Sequence, residues 1–158
     1  MLFQEVRALP EQMPKDWKEP EGYDVIWHPA QKKGYSGVMS CSRVGMEEIG
    51  RGIDTDLDET RDPEGRVLHT KHNGMHCVNI YLPNGSSRDQ RQAYKDQWIE
   101  DLMEWAEMFV GSEEPAILCG DLNIAHTEDD IWDPKGNKRS SGFLEHEREW
   151  FTRLLDRG

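Results

Sequence analysis

A continuous apolar run in the second half of the chain is the feature that most restricts its possible folds. The run extends from Pro115 to Cys119 without polar alternation and stops at Gly120-Asp121. Such a run is typical of an inner strand that is covered on both faces of its sheet. We therefore expect an α/β (α+β) fold in which Asp121 lies just past a buried strand.

Shorter apolar segments predict further strands and one hairpin. Strand-like runs occur at Leu2-Phe3, residues 23–27 and residues 38–42. Two more runs, residues 66–71 and 75–82, flank His72-Asn73-Gly74, and Asn-Gly is the strongest hairpin signal in this chain. Together with the two helices below, these strands suit one ordinary domain over residues 1–158.

Two segments have helical periodicity. Ser87 and Gln90 have the spacing of a capping box, and a helix beginning there would end at Gly111. Its apolar side would consist of Trp98, Leu102, Trp105 and Phe109. The opposite, acidic face is interpreted as a solvated surface. A final helix would carry Trp150, Phe151, Leu154 and Leu155 on its apolar side.

The net charge restricts the ligand surfaces that the chain can have. Asp and Glu number 31 against 19 Lys and Arg, which gives a net charge of -12. This charge repels phosphates, so a nucleic-acid face has to be locally basic. Basic clusters occur at Lys32-Lys33, at Arg88-Arg91-Lys95, and at Lys135 with Lys138-Arg139. All three are predicted in loops or near element ends, where phosphate contacts are expected.

The cysteines and the hydropathy pattern indicate a compartment. Cys41, Cys77 and Cys119 are odd in number and lie in apolar runs, which is typical of buried thiols in a reducing environment. No stretch approaches the length of a membrane span, and the first residues lack the pattern of a signal peptide. We therefore expect an intracellular protein, cytoplasmic in a prokaryote and nuclear in a eukaryote.

Asp121 and Asn123 form the best candidate site that the residues alone indicate. They lie two positions apart, so their side chains project to the same side of an extended chain. The carboxylate can bind a hard cation or accept a proton from water, and the amide can orient a phosphoryl oxygen. This pair suits metal-assisted phosphodiester hydrolysis. An Asx turn would explain the same two residues, so spacing alone leaves both interpretations open.

Glu5 and Tyr81 also lie at predicted strand ends. Glu5 offers the oxygen ligands that hard divalent ions prefer, although a lone acid there is also typical of a surface. The Tyr81 hydroxyl could face a substrate, or the residue could be a half-buried tyrosine of the sheet. The six histidines show neither metal-ligand spacing nor a nucleophile partner, and only His126 lies near Asp121 in the chain.

Several segments, in this order, resemble the exonuclease III/apurinic endonuclease family. They are Leu2-Phe3-Gln4-Glu5, Gly34-Tyr35-Ser36-Gly37-Val38, Tyr81-Leu82-Pro83-Asn84-Gly85, Cys119-Gly120-Asp121-Leu122-Asn123-Ile124-Ala125-His126 and Asp133-Pro134-Lys135-Gly136-Asn137-Lys138. The resemblance covers nearly the whole chain, from Gln4 to Gly158. It implies part of a four-layer αββα sandwich of the endonuclease/exonuclease/phosphatase type.

The resemblance implies magnesium-dependent cleavage of double-stranded DNA on the 5′ side of abasic sites, with trimming of 3′ ends. Glu5 would hold the magnesium, or manganese, Asp121 would activate or position the attacking water, and Asn123 would orient the scissile phosphate. Tyr81 would lie at the cleavage site. DNA contacts are implied for Gly34, Tyr35 and Asn137, and the basic clusters add Arg88 and Lys135. Neither a membrane nor an obligate protein partner is expected.

The chain departs from the family pattern at both ends. It lacks a preceding strand ending in Asn and the Ser-Asp-His ending that supplies a catalytic histidine and a metal-side Asp. We therefore expect the central part of a longer, truncated family domain. The alternative is a catalytically incomplete DNA-binding fragment. A relative acting on a non-DNA phosphodiester is a third hypothesis, and residues 134–142, which resemble the DNA-repair branch, argue against it.

Overall fold

Both β-sheets belong to one of two units into which the chain divides. The computed structural model describes residues 1–53, 62–86 and 89–157. The first unit comprises Met1–Tyr81 with Gly111–Asp121, and the second comprises Leu82–Val110 with Leu122–Gly158. The predicted cap at Ser87 and the predicted DNA contact Arg88 lie outside the described residues. The expectation of a single domain stays a prediction.

The smaller sheet of the first unit has three strands in the order β1-β3-β2, all antiparallel. These are β1 (Leu2–Gln4), β2 (Asp24–His28) and β3 (Val38–Ser42). All three were predicted, and every residue of the central strand β3 is buried. A 3-10 helix, Pro10–Gln12, and the one-turn helix α1 (Lys15–Lys18) connect β1 to β2.

The larger sheet has the order β4-β5-β6-β7. Its strands are β4 (Glu47–Arg51), β5 (Val67–His72), β6 (Met75–Tyr81) and β7 (Ala116–Asp121), of which β6 and β7 are parallel. The predicted hairpin is confirmed, because Asn73 (φ 49°) and Gly74 (φ 83°) both adopt the left-handed conformation that a two-residue type I′ turn requires. Strand β4 was not predicted, since Glu47-Glu48 and a bulge before Gly50 break any alternation of apolar residues.

Strand β7 corrects one prediction. Its apolar run predicted an inner strand covered on both faces, but among the described residues β7 lies at the edge of the sheet and pairs only with β6. Ile117 is 47% exposed. An apolar run indicates how much apolar surface a strand has. The topology of the sheet decides which neighbouring strands cover that surface.

A buried amide joins the two sheets within the first unit. Asn79 on β6 is completely buried and donates from Nδ2 to the carbonyl oxygens of Phe3 (3.2 Å) and Met39 (3.0 Å). Gln4 Nε2 donates to Asn79 Oδ1 at 2.6 Å. Because buried polar groups without partners are costly, this network holds β1 at a defined position on β6. Val38, Leu68 and Tyr81 form the adjoining apolar core.

The second unit contains both long helices, as predicted. They are α2 (Asp89–Ala106), followed by a 3-10 helix at Glu107–Phe109, and α3 (Glu145–Leu155). Trp150 is completely buried, and its indole Nε1 donates to the Ile99 carbonyl oxygen at 2.7 Å. The two helices therefore contact each other at Trp150, on the side of α3 that was predicted to be apolar. Leu155, expected on that side, is instead exposed at the last position of α3.

Two further expectations concern cysteines and membranes. All three cysteines are free thiols, as predicted, although only Cys41 is fully buried while Cys77 and Cys119 are half-buried. Across the described part of the chain, every helix is too short or too polar to cross a membrane.

Candidate active site

Two predicted site residues meet at the end of the parallel strand pair. Tyr81, the last residue of β6, is the register partner of Asp121, the last residue of β7. The tight approach of these strands requires Gly120, because its φ is 146° and a Cβ there would collide with the carbonyl oxygen of Ile80. Tyr81 is buried, and Asp121 is exposed. The backbone therefore presents a hydroxyl and a carboxylate at one end of the sheet.

Glu5 reaches the same hydroxyl from the other sheet. It follows β1 directly, and its carboxylate accepts hydrogen bonds from Arg7 and from the Tyr81 hydroxyl. Glu5 has φ 53°, a left-handed conformation that costs a residue with a side chain on the order of 1 kcal/mol. Such strain persists only where the surroundings impose it, and it is concentrated at functional sites. The predicted residues Glu5, Tyr81 and Asp121 are thus brought together in the first unit.

The protonation states of this cluster follow from its contacts. Burial, followed by the hydrogen bond to Glu5, raises the pKa of Tyr81 to about 12. The hydrogen bond from Arg7, followed by the one from Tyr81, lowers the pKa of Glu5. At neutral pH, therefore, Tyr81 is a neutral hydrogen-bond donor and Glu5 is a carboxylate. A tyrosine in this state can donate to an anionic oxygen but does not act as a base.

Arg66 is a site residue that the sequence did not reveal. It is almost completely buried, donates from Nη1 to the Tyr81 carbonyl oxygen at 2.8 Å, and lies over the Tyr81 ring at 4.9 Å from its centroid. Its Nη2 donates to the Tyr35 hydroxyl at 3.3 Å. Arg66 therefore connects a predicted DNA contact to a predicted catalytic residue. An arginine at the start of a strand carries no local signal of such a role.

The Gly34-Tyr35 loop belongs to the first unit as well. Gly34 is exposed, Tyr35 is half-buried, and the Tyr35 hydroxyl donates to Glu64 Oε1 at 3.2 Å. The Lys32 ammonium lies 5.1 Å from the centre of the Tyr35 ring. A basic and an aromatic group thus stand together near Tyr81, although their contact with DNA stays a prediction.

Asn123 lies in the second unit, and its surroundings correct the interpretation of Lys95. The Asn123 Nδ2 donates to the Leu82 carbonyl oxygen at 2.8 Å, so its amide bonds to a distant segment of backbone. Lys95 belongs to one of the basic clusters predicted to contact phosphates, but it is completely buried and donates to the Asn123 carbonyl oxygen at 2.9 Å. A cluster of basic residues in the sequence does not show which of its lysines will be buried when the helix packs.

The long connection between β7 and α3, residues 122–144, contains two other residues that were predicted to contact DNA. Lys135 is exposed. Asn137 donates from Nδ2 to the Asp133 carbonyl oxygen at 2.8 Å, while Asp133 Oδ1 accepts from the Gly136 amide at 2.9 Å. These bonds close a turn at the tip of the loop. Asn137 therefore has a demonstrated role in the shape of the loop, and its DNA contact stays a prediction.

A metal ion would find few protein ligands here. His126 Nε2 lies 2.8 Å from the Thr152 hydroxyl oxygen, and the His126 ring stacks on Phe151. Within residues 1–53, 62–86 and 89–157, no group of three or more His, Cys, Asp or Glu side chains could hold a metal ion. Magnesium commonly takes only one or two carboxylates and completes its shell with water and phosphate oxygens. The exposed Glu5 carboxylate fits that mode of binding.

Comparison with known proteins identifies the family. The model of the Endonuclease/Exonuclease/phosphatase family matches residues 1–157. An exodeoxyribonuclease of Bacillus subtilis is 39% identical over 140 residues, covering 89% of this chain and 54% of that protein. A DNA-(apurinic or apyrimidinic site) endonuclease of Dictyostelium discoideum is 35% identical, covering 100% of this chain and 43% of that protein. The chain thus spans about half the length of these relatives.

A solved structure agrees with the sequence relatives. An AP endonuclease from Archaeoglobus fulgidus matches with a TM-score of 0.85 and 29% identity, over 99% of this chain and 59% of that one. This likeness confirms the predicted fold class, and the relatives confirm the resemblance to the exonuclease III/apurinic endonuclease proteins. The chain belongs to the Endonuclease/Exonuclease/phosphatase family.

Proposed function

We propose that this chain carries the active site of a divalent-metal-dependent DNA-repair nuclease. The reaction is phosphodiester hydrolysis on the 5′ side of abasic sites, together with trimming of 3′ ends. The observation that carries the proposal is the cluster of Glu5, Tyr81 and Asp121, in which two carboxylates act on one protonated hydroxyl. The names of the relatives, an exodeoxyribonuclease and an apurinic endonuclease, support the choice of DNA as substrate.

Each residue of the cluster has a role that suits its chemistry. Asp121, exposed at the end of β7, positions the attacking water and accepts its proton. Tyr81 keeps its proton at neutral pH and donates to a phosphate oxygen. A magnesium or manganese ion at Glu5 would stabilise the negative charge that develops on the leaving oxygen. Asn123, two residues after Asp121, orients the scissile phosphate through its amide.

The DNA surface has to be basic despite the acidic chain. The exposed Lys32, Lys135, Lys138 and Arg139 side chains lie outside the helices and strands, and they supply the positive charge that backbone phosphates require. Tyr35 and Gly34 supply further contacts beside Lys32. Double-stranded DNA containing an abasic site or a 3′ end is therefore the proposed partner. Such a substrate places the protein inside the cell.

The proposal is tested by incubating the purified chain with a duplex that contains one abasic-site analogue, with and without magnesium. Asp121→Asn removes the proposed base without a change of size, and Asp129→Asn, in the exposed 3-10 helix Glu128–Asp130, is the matched control. We expect magnesium-dependent incision that Asp121→Asn abolishes and Asp129→Asn retains. Binding without incision in the unmodified chain would instead support a catalytically incomplete DNA-binding fragment.

A further inference from the structure

A buried ion pair in the second unit has no part in the chemistry proposed above. Lys95 on α2 and Glu147 on α3 are both completely buried, and their Nζ and Oε1 atoms are 2.6 Å apart. Removing two charges from water costs about as much as their attraction returns, and an apolar pair of similar volume is often equally stable. Stability alone therefore does not account for this pair.

Lys95 bonds to Asn123 itself, while Glu147 bonds to Gln92 on α2 and to backbone amides just before α3. Lys95 Nζ donates to the Asn123 carbonyl oxygen at 2.9 Å. Glu147 Oε2 accepts from the backbone amides of Gly142 (2.7 Å) and Leu144 (3.0 Å). The Gly142 carbonyl oxygen in turn accepts from the Ala125 amide at 2.8 Å. Lys95 therefore holds Asn123 directly. Glu147 holds Ala125, two residues further along the chain, indirectly through Gly142.

Asn123 itself needs such support. Its φ is 48°, in the left-handed region, which a residue other than glycine keeps only when the surrounding structure imposes it. Its side-chain amide is directed by the bond from Nδ2 to the Leu82 carbonyl oxygen. The backbone bond from Lys95 and the side-chain bond to Leu82 together fix both ends of the residue. A shift of the Asn123 carbonyl oxygen would therefore redirect its amide.

We infer that Lys95 and Glu147 are positioning residues that hold Asn123 in the orientation required by the substrate phosphate. This inference rests on the proposed function, because it assumes that the Asn123 amide meets a phosphodiester. Lys95 acts through the Asn123 backbone and does not contact DNA. The ion pair forms directional hydrogen bonds to the backbone, and an apolar pair of the same size cannot form them.

The test replaces the pair by apolar residues of similar size. Lys95→Met/Glu147→Leu leaves no buried charge unpaired, and its matched control is Glu100→Leu/Arg153→Met, which removes the exposed ion pair (2.5 Å) between the same two helices. Hydrogen exchange of residues 122–126 should accelerate at least about tenfold in the buried variant and remain unchanged in the control. In the incision assay, kcat should fall by about 100-fold, with KM within about twofold of the unmodified chain.

A second variant covers the case in which the apolar pair fails to fold. Lys95→Arg keeps the charge beside Glu147 but replaces the ammonium by a longer planar group, so it displaces the donor to Asn123 without leaving a buried charge unpaired. It should show the same local acceleration of exchange, together with the modest loss of stability expected from a larger side chain at a fully buried position. Exchange that rises throughout the second unit, or that stays unchanged at residues 122–126, would overturn the positioning role.

The two proposals fail in different ways. If the unmodified chain cuts no DNA, the proposed function is wrong, while the exchange measurement still decides whether the pair positions Asn123. If the unmodified chain cuts DNA and the buried variant cuts it equally well, only the positioning role is overturned. If a folded variant shows both a lower kcat and faster hydrogen exchange confined to the residues around Asn123, both proposals are supported.

Discussion

Tyr81 and Asp121 are direct register partners at the last positions of two parallel strands, β6 and β7. Because parallel strands end at the same edge of a sheet, this register brings a hydroxyl and a carboxylate to one place without any contribution from a loop. Glu5 joins them through its hydrogen bond to the Tyr81 hydroxyl. The geometry of the candidate site is therefore set mainly by strand pairing, and changes to that pairing should be felt at the site.

Replacement of Gly120 by alanine should be strongly destabilising. The new Cβ would collide with the Ile80 carbonyl oxygen, and the φ of 146° is unfavourable for alanine. We expect a loss of about 2–4 kcal/mol in the free energy of unfolding, measured by urea denaturation. Gly45→Ala is the control, since a Cβ there meets nothing within 4 Å and its φ is also positive. Equal losses in the two variants would contradict the steric explanation.

Tyr81→Phe should lower kcat while leaving the fold intact. The change removes only the hydroxyl, which donates to Glu5 in this structure and, in the proposed mechanism, donates to the substrate phosphate instead. Loss of one such donor costs about 100-fold in rate. Tyr94→Phe, on the exposed face of α2, is the control and should leave kcat unchanged. A titration of tyrosinate absorbance should also lose one group that ionises near pH 12 in Tyr81→Phe.

His69 should make the protein less stable in mild acid. Burial, followed by the charge of His76, lowers the pKa of His69 to about 4 from its ordinary value of 6.5. The unfolded chain therefore binds more protons than the folded one between those two values, so stability falls as the pH decreases from 6.5 towards 4. The total loss from this group is on the order of 3 kcal/mol.

The neighbours of His69 define the control for that prediction. His69 Nε2 lies 2.7 Å from His76 Nδ1, and His76 Nε2 lies 2.9 Å from Glu114 Oε2. His69→Gln should flatten the dependence of the unfolding free energy on pH in this window, as measured by denaturation at several pH values. His146→Gln, at an exposed position on α3, should preserve it. An unchanged slope in His69→Gln would show that another group is responsible.

Asn79→Leu should loosen the strand that carries Glu5. The change leaves the carbonyl oxygens of Phe3 and Met39 without a buried donor, which costs about 2–4 kcal/mol in total. Hydrogen exchange at residues 1–5 should rise more than exchange in the β5–β6 hairpin. The control is Gln97→Leu, which removes an exposed side-chain hydrogen bond to Asp101. If hydrogen exchange rose equally across both sheets, Asn79 would contribute only to the overall stability of the protein.

Local patterns were sufficient for most elements of this chain. Asn73-Gly74 predicted the hairpin because few other residues adopt two successive left-handed conformations. The spacing of Trp98 and Leu102 predicted α2, since only one helix face can be buried. Strand β4 escaped prediction because its residues are held by pairing with β5, and such pairing leaves no periodic pattern in a polar edge strand.

Residue types at predicted strand ends were enough to identify Glu5, Tyr81, Asp121 and Asn123 as candidates. The folded structure was needed to show that β7 pairs only with β6 among the described residues, that Arg66 links Tyr35 to Tyr81, and that the buried Lys95 bonds to Asn123. The two kinds of feature differ in how far apart in the chain the interacting residues lie. Turns and helix faces depend on residues within a few positions, whereas strand neighbours and buried ion pairs depend on segments that folding brings together from distant parts of the chain.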